Sequence, residues 1–311
     1  MLIPWLDVPG VAAQLAAMSD AASLDLTHLG TEAAADAIQD TAVTQPLVVA
    51  SALLVAGVLD AEIGLPSDAP TAGHSVGELA AAAIAGVMDS LAAVRLAGQR
   101  GRAMAACCAA TPTSMAAVLG GDKEAVIAAL ADRGLAAANV NGGGQIVAAG
   151  DKDAILALKD APPADASRVI PLSVAGAFHT HYMAGAEDHL AAAVGGVTPA
   201  DPTRPLLTNA DGRVVLGGAE YLSLLVRQLT RPVRWDLCMA RLAALGVTGV
   251  IEFTPAGTLT GLVKRELDGV ATLNVKTPDD IDKARAFIKE HSVAEHASTN
   301  PAPTEPTDKA L

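Results

Sequence analysis

Gly73-His74-Ser75-Val76-Gly77-Glu78 (GHSVGE) is a G-x-S-x-G core that runs at once into an Ala-rich, helix-like segment, Leu79 to Met88. Turn residues and a short apolar approach, Leu65 to Gly73, come before it. Strand, serine and helix therefore stand in the order of a nucleophile elbow, in which the serine occupies a strained turn with its hydroxyl exposed. Small residues at Gly73 and Gly77 let the backbone pass, and the helix N-terminus offers N–H groups, beginning at Val76, to a developing oxyanion.

On either side of the motif the pattern predicts helices over Thr31 to Leu59, with Thr44-Gln45-Pro46 opening its apolar part, and over Ser90 to Cys108. After Pro112 the texture changes. Met115 to Gly120 reads as a strand, Lys123 to Ala131 as a helix, and Leu135 to Asn141 and Gln145 to Gly150 as strands. A helix at Lys152 to Lys159 and a strand at Val169 to Val174 complete the unit. That order, βαββαβ, is ferredoxin-like and reads as an insertion over 112–176.

Alternating signals then resume. Helices are expected at Tyr182 to Ala193, Ala219 to Leu229 and Arg234 to Leu245, with strands at Leu206 to Asn209 and Val247 to Thr254. Outside the insertion, 1–111 and 177–291 form an α/β core with a mainly parallel sheet. The polar, proline-containing stretch 292–311 is expected to be a disordered tail.

With 311 residues the chain can bury a substantial core. Its net charge of −13 argues against nucleic-acid binding and requires a local basic group for any anionic ligand. Three cysteines without disulfide or metal spacing point to a reducing cytoplasm. No basic segment precedes an apolar one in signal-peptide fashion, and charges interrupt the apolar runs too often for a bilayer span, so no membrane association is expected. The histidines have no metal-ligand spacing, and no metal is expected. A base for the serine comes from either His179 or His181, which the residues alone do not separate; His74, His28, His189, His291 and His296 read as structural or surface groups. Arg100 is either a carboxylate-binding guanidinium or an arginine on a solvated helix face.

Six motifs bear on these choices: Gly73–Glu78, Gly98–Met104 (GQRGRAM), Asn139–Gln145 (NVNGGGQ), Gly176–Met183 (GAFHTHYM), Arg227–Trp235 (RQLTRPVRW) and Pro255–Arg265 (PAGTLTGLVKR). They occur in the order found in malonyl-CoA:acyl-carrier-protein transacylases, and the chain from Met1 to about Val275 resembles that family. The resemblance implies an α/β-hydrolase-like core with a ferredoxin-like insertion. It implies Ser75 as nucleophile, His179 as its base, the main-chain carbonyl of Gln228 as the group that orients the imidazole, and the Val76 N–H as an oxyanion donor. Arg100 would bind the malonyl carboxylate with Met104 one turn on, and Phe178 would fill the space of an α-methyl group. Asn139, Asn141 and Gln145 would lie by the cleft, chiefly hydrogen bonding within a tight turn. Lys264 and Arg265 would either meet a phosphate of coenzyme A or an acidic carrier, or remain solvated.

The implied partners are acyl carrier protein and a coenzyme A thioester, acted on by a monomer without a bound cofactor. Family members also begin with an apolar strand and a Gly-Gln-Gly-Ser-Gln loop whose glutamine gives a second oxyanion donor. Met1 to Leu6 resembles the segment after that loop, so a start upstream of Met1 is expected. Other readings remain: a serine esterase or thioesterase using the same pair, a polyketide acyltransferase, or a non-catalytic carrier-binding form.

Overall fold

The computed structural model describes residues 1–163 and 165–292; the expected tail, apart from Ser292, lies outside them. The chain opens with helices α1 (Val11–Ala22), α2 (Leu26–Thr31), α3 (Thr41–Ile63), α4 (Gly77–Ile84) and α5 (Ser90–Ala110). The middle of the chain is β1 (Thr113–Leu119), α6 (Lys123–Ala131), β2 (Ala136–Gly142), β3 (Gln145–Asp151), α7 (Lys152–Asp160) and β4 (Arg168–Pro171). Then come α8 (Ala184–Val194), β5 (Leu206–Leu207), β6 (Val214–Val215), α9 (Gly218–Arg227), β7 (Val233–Arg234), α10 (Trp235–Ala244), β8 (Gly249–Phe253), α11 (Thr258–Glu266), β9 (Ala271–Val275) and α12 (Ile281–His291).

Aspartates set several of the helix starts. Asp25, Asp40, Asp89, Asp122 and Asp151 each precede a helix and accept a backbone N–H of its first turn, a cap worth about 1 kcal/mol apiece. Asp40 explains why α3 begins at Thr41 and not at the expected Thr31: the cap ends a turn-rich stretch and lets Pro46 fall inside the helix. The α1 helix was not expected at all. The final strand of the middle unit is Arg168–Pro171, shorter than the Val169 to Val174 expected, because the chain leaves the sheet edge after Pro171.

The expectation of no membrane span rested on charges breaking the apolar runs, and that premise fails for one helix. The α3 helix is 23 residues long with a mean hydropathy of 2.0 over its most apolar window, long and apolar enough to cross a membrane. Here it is a core helix. Val49, Ala50, Leu54, Val55 and Leu59 have no exposed surface, and they pack with residues of α1, α4 and α5 in the main apolar cluster. A small residue permits one close crossing: a Cβ on Gly101 of α5 would lie 2.7 Å from the Thr41 carbonyl oxygen. That approach brings Arg100 on α5 beside Gln45 on α3.

The four strands of the middle unit form an antiparallel sheet in the order β4-β1-β3-β2, as the ferredoxin-like pattern requires. Period-two alternation divides its side chains. Ala116, Val118, Ile146 and Ala148 face α6 and α7, whereas Met115, Val147 and Ala149 face the other way, onto Ala177 and Phe178. Strand β7 adds in parallel to β2 and joins this sheet to the segment after α9.

Core strands pair in parallel at β8–β9, β5 and β6 form an antiparallel hairpin, and the strand expected before the elbow is reduced to an isolated parallel bridge, Thr71 with Leu206. The fold is thus α/β with mixed sheets. An apolar cavity of about 680 Å3 has Thr71 to Gly73 on one wall and Val250 to Phe253 of β8 on another, behind the elbow.

Candidate active site

The elbow is held by backbone and side-chain bonds that span the chain. Thr71 N donates to Pro205 O (2.8 Å) and Leu207 N to Thr71 O (3.0 Å), fixing the entry to the turn. Ser75 then adopts φ 53°, a left-handed conformation rare for a residue with a side chain. Asn209 clasps the turn from below: its Oδ1 accepts Ser75 N (2.7 Å) and its Nδ2 donates to Gly73 O (2.8 Å). Gly73 admits no side chain, since a Cβ there would lie 2.1 Å from the Gly77 carbonyl. Val76 starts the helix, and its N–H meets no acceptor among the described residues, so it is free for an oxyanion.

Ser75 Oγ lies 2.7 Å from His179 Nε2, and His179 Nδ1 lies 2.8 Å from the Gln228 carbonyl oxygen. His179 also has positive φ, 59°, in a loop anchored by Thr113 Oγ1 accepting Ala177 N and by Thr180 Oγ1 donating to Ala177 O. Burial pulls its pKa down to about 3, helped by the Arg100 charge and opposed by the Gln228 bond. The imidazole is neutral at pH 7, with its proton on Nδ1 toward the carbonyl and a free Nε2 lone pair toward the serine. His181 is exposed and stacks on Tyr182, so the rivalry ends in favour of His179.

Arg100 is buried, which removes the reading of a solvated arginine. Its Nη1 donates to Gln45 Oε1 (2.5 Å), and its Nη2 donates to Gln228 Oε1 (2.8 Å) and to Ser75 Oγ (3.2 Å). Burial lowers its pKa to about 10 while Glu78 pushes the other way, leaving it charged at neutral pH. Met104 is buried, and its Sδ accepts from Gln45 Nε2. It supports the residue that supports Arg100.

Asn141 makes the hydrogen bond expected within the β2–β3 turn, and both asparagines also reach His74. Asn141 Oδ1 pairs with His74 Nε2 (2.9 Å), its Nδ2 donates to Gln145 (2.8 Å), and Asn139 Nδ2 approaches the same ring nitrogen at 3.5 Å. His74, within the elbow, is thereby seated on β2. Burial lowers its pKa and keeps it neutral. Phe178 precedes His179 and packs between the main core and the β1–β3 face. Lys264 and Arg265 are exposed at the end of α11. Among the described residues no group of three or more His, Cys, Asp or Glu side chains is placed to hold a metal ion.

Glu78, Asn209 and Gln45 were given no role in the site by sequence reasoning, and His74 was read only as a structural or surface group. Only Glu78 and His74 carried a signal, their place inside the serine motif.

Residues 11–297 match the acyl transferase domain family. The chain is 54% identical over 286 residues to the malonyl CoA-acyl carrier protein transacylase of Mycolicibacterium smegmatis, covering 91% of this chain and 98% of that protein. The chain belongs to the malonyl-CoA:acyl-carrier-protein transacylases. The Escherichia coli transacylase is 33% identical over 275 residues, covering 87% of this chain and 89% of that protein. In structure, this transacylase superposes on the Mycobacterium tuberculosis enzyme with a TM-score of 0.87 at 52% identity, covering 91% and 94% of the two chains. It superposes with 0.85 at 30% identity, covering 92% and 94%, on a malonyl-transacylase solved in complex with a type II polyketide-synthase acyl-carrier protein.

Proposed function

We propose that Ser75 takes malonyl from coenzyme A as an ester and delivers it to the phosphopantetheine thiol of acyl carrier protein, supplying extender units for fatty acid synthesis. One observation carries this reading: a single oxygen, Ser75 Oγ, lies within hydrogen-bonding distance of a neutral base and of a buried guanidinium. An ester hydrolase has use for the first alone. A carboxylate-bearing acyl group has use for both.

In the first step Ser75 Oγ attacks the thioester carbon and gives its proton to His179 Nε2. The Val76 N–H meets the developing oxyanion. The C–S bond breaks, and His179 returns the proton to the departing thiolate. The carrier thiol then repeats the sequence in reverse, giving its proton to His179 as it attacks the seryl ester. Throughout, the Gln228 carbonyl holds Nδ1–H, which stabilises the transient imidazolium without a buried carboxylate.

Arg100 links binding to chemistry. Its charge is one of the causes that depress His179. A malonyl carboxylate paired with the guanidinium offsets that charge and makes the imidazole a stronger base when substrate is present. Phe178 beside His179 disfavours a branched acyl group. Since one methyl is worth about 1–3 kcal/mol, it gives preference and not exclusion. Asn139 and Asn141 act through His74 and Met104 through Gln45, each on the position of a reacting group. The enzyme works as a cytoplasmic monomer without a bound cofactor, with 1–111 and 177–291 as core and 112–176 as insertion.

The test is Arg100→Ala. Malonyl transfer is expected to fall roughly 100-fold, since a charge-assisted pair in a buried site contributes about 2–4 kcal/mol, while acetyl transfer holds or rises. Steady-state comparison of the two thioesters reads this directly. Equal losses on both would contradict a carboxylate-binding role.

A further inference from the structure

Glu78 is the one buried acid in the site, and the acyl-transfer steps make no use of it. It lies in the first turn of α4 with 1% of its surface exposed. Its Oε1 accepts the Asn209 backbone N–H at 2.6 Å, and its Oε2 accepts Gln228 Nε2. Gln228 Nε2 also donates to the Ser75 carbonyl at 3.1 Å, and Gln228 Oε1 accepts from Arg100 Nη2 at 2.8 Å. We propose that Glu78 is a positioning residue, whose carboxylate fixes the Gln228 amide and through it the orientation of Arg100 toward the acyl carboxylate.

A carboxylate only accepts, a guanidinium only donates, and an amide has one end of each kind. With Glu78 ionised on one side and Arg100 on the other, a single orientation of the Gln228 side chain satisfies both. An amide at position 78 breaks this order, because a single carboxamide oxygen replaces the two carboxylate oxygens that take Asn209 N, Gln228 Nε2 and the Thr208 side chain. If its NH2 group meets Gln228, that side chain must turn over and present its own NH2 to the guanidinium. Arg100 then loses its inner acceptor and its aim. Protonation of Glu78 produces the same conflict.

That equivalence gives a pH signature. Burial raises Glu78 to about 7 against the pull of its donors and of Arg100. The other ionisable groups around it are Arg100 on α5, Tyr221 on α9 and Cys238 on α10, and burial keeps the last two neutral. His179 stays neutral down to about 3, so it does not titrate near neutrality. An acid limb of kcat/KM near pH 7 therefore belongs to Glu78, with efficiency lost as pH falls through that value.

The role rests on the reading of Arg100 given above, and the experiment separates the two. Intact wild type, Glu78→Gln, Glu78→Asp and Arg100→Ala are compared on malonyl and acetyl thioesters of N-acetylcysteamine, which carry no phosphate to titrate. For Glu78→Gln the malonyl-to-acetyl ratio of kcat/KM is expected to fall about 10- to 100-fold, the span of a lost hydrogen bond to a charged group, and the acid limb to vanish. Glu78→Asp keeps the charge, so it should keep the limb while losing part of the ratio.

An unchanged ratio in Glu78→Gln, or equal losses on both substrates, overturns the positioning role. So does a gain on malonyl, which would mean that the carboxylate acts on Arg100 by charge alone. If Glu78→Gln does not fold, the wild-type profile decides, and a malonyl profile flat from pH 6 to 8 rejects the proposal. An unchanged ratio in Arg100→Ala removes the reading of Arg100 first, and this role with it.

Discussion

Replacing Ser75 with alanine is expected to lower malonyl transfer by roughly ten-thousandfold to a millionfold, with the protein folded as before. The size follows from what the hydroxyl does. Without it the reaction must proceed by direct attack of the carrier thiol on the coenzyme A thioester, and the geometry built around Ser75 Oγ has no atom to activate. His179 Nε2 and Arg100 Nη2 still face the vacant position at their present distances from it. Thioester binding should therefore persist, and the loss should appear in kcat with little change in KM. The fold should tolerate the change because the left-handed turn is held by the Ser75 backbone N–H and its Asn209 partner, which alanine retains. Steady-state kinetics together with a thermal melt within a degree or two of wild type would check both parts.

His179→Ala is expected to cost nearly as much, roughly a thousandfold to a hundred-thousandfold. A serine hydroxyl is a poor nucleophile unless a base accepts its proton as the bond forms, and no second base lies within reach of Ser75 Oγ among the described residues. The remaining rate would come from the Val76 N–H and from placement of the acyl group by Arg100. Because nucleophile and base act as one unit, combining His179→Ala with Ser75→Ala should reduce activity no further than Ser75→Ala alone. Additive losses in that double variant would mean that the two residues serve separate steps. His181→Ala should leave turnover close to wild type, which distinguishes the two neighbours in the GAFHTHYM motif.

Much of this arrangement was legible in the sequence, and its limits have physical causes. The elbow could be read because strained turns demand small residues at fixed offsets, which Gly73 and Gly77 supply. The four strands and two helices of the middle unit could be read because each buries a face with a clear period. The true start of α3 was missed for a local reason, since Asp40 caps a helix that apolar content alone would begin elsewhere, and α1 was missed because no side-chain cap at Gly10 marks its start. The supports of the site were illegible for a different reason. Asn209 reaches Ser75 across 134 residues of chain and Gln45 reaches Arg100 across 55. No local pattern marks a side chain whose partner is that distant. The buried state of Arg100 belongs to the same class, since it depends on the close crossing of α3 and α5 at Gly101.

Charge gave a constraint that the structure resolves. A chain with net charge −13 repels an anionic substrate, yet the site holds one buried guanidinium with neutral acceptors on both sides. A carboxylate arriving there gains a full charge partner while the two amide oxygens hold the guanidinium in place, in a medium where that pairing is strong.

Mapping the acyl intermediate shows whether Ser75 carries the malonyl group. The protein is incubated with malonyl-CoA alone, quenched in acid, digested and analysed by mass spectrometry. A malonyl ester is expected on the peptide bearing Ser75, and it disappears on addition of phosphopantetheinylated carrier protein as malonyl appears on the carrier thiol. A malonyl group on Cys107 or Cys108, or transfer to the carrier with Ser75 unmodified throughout, would contradict it.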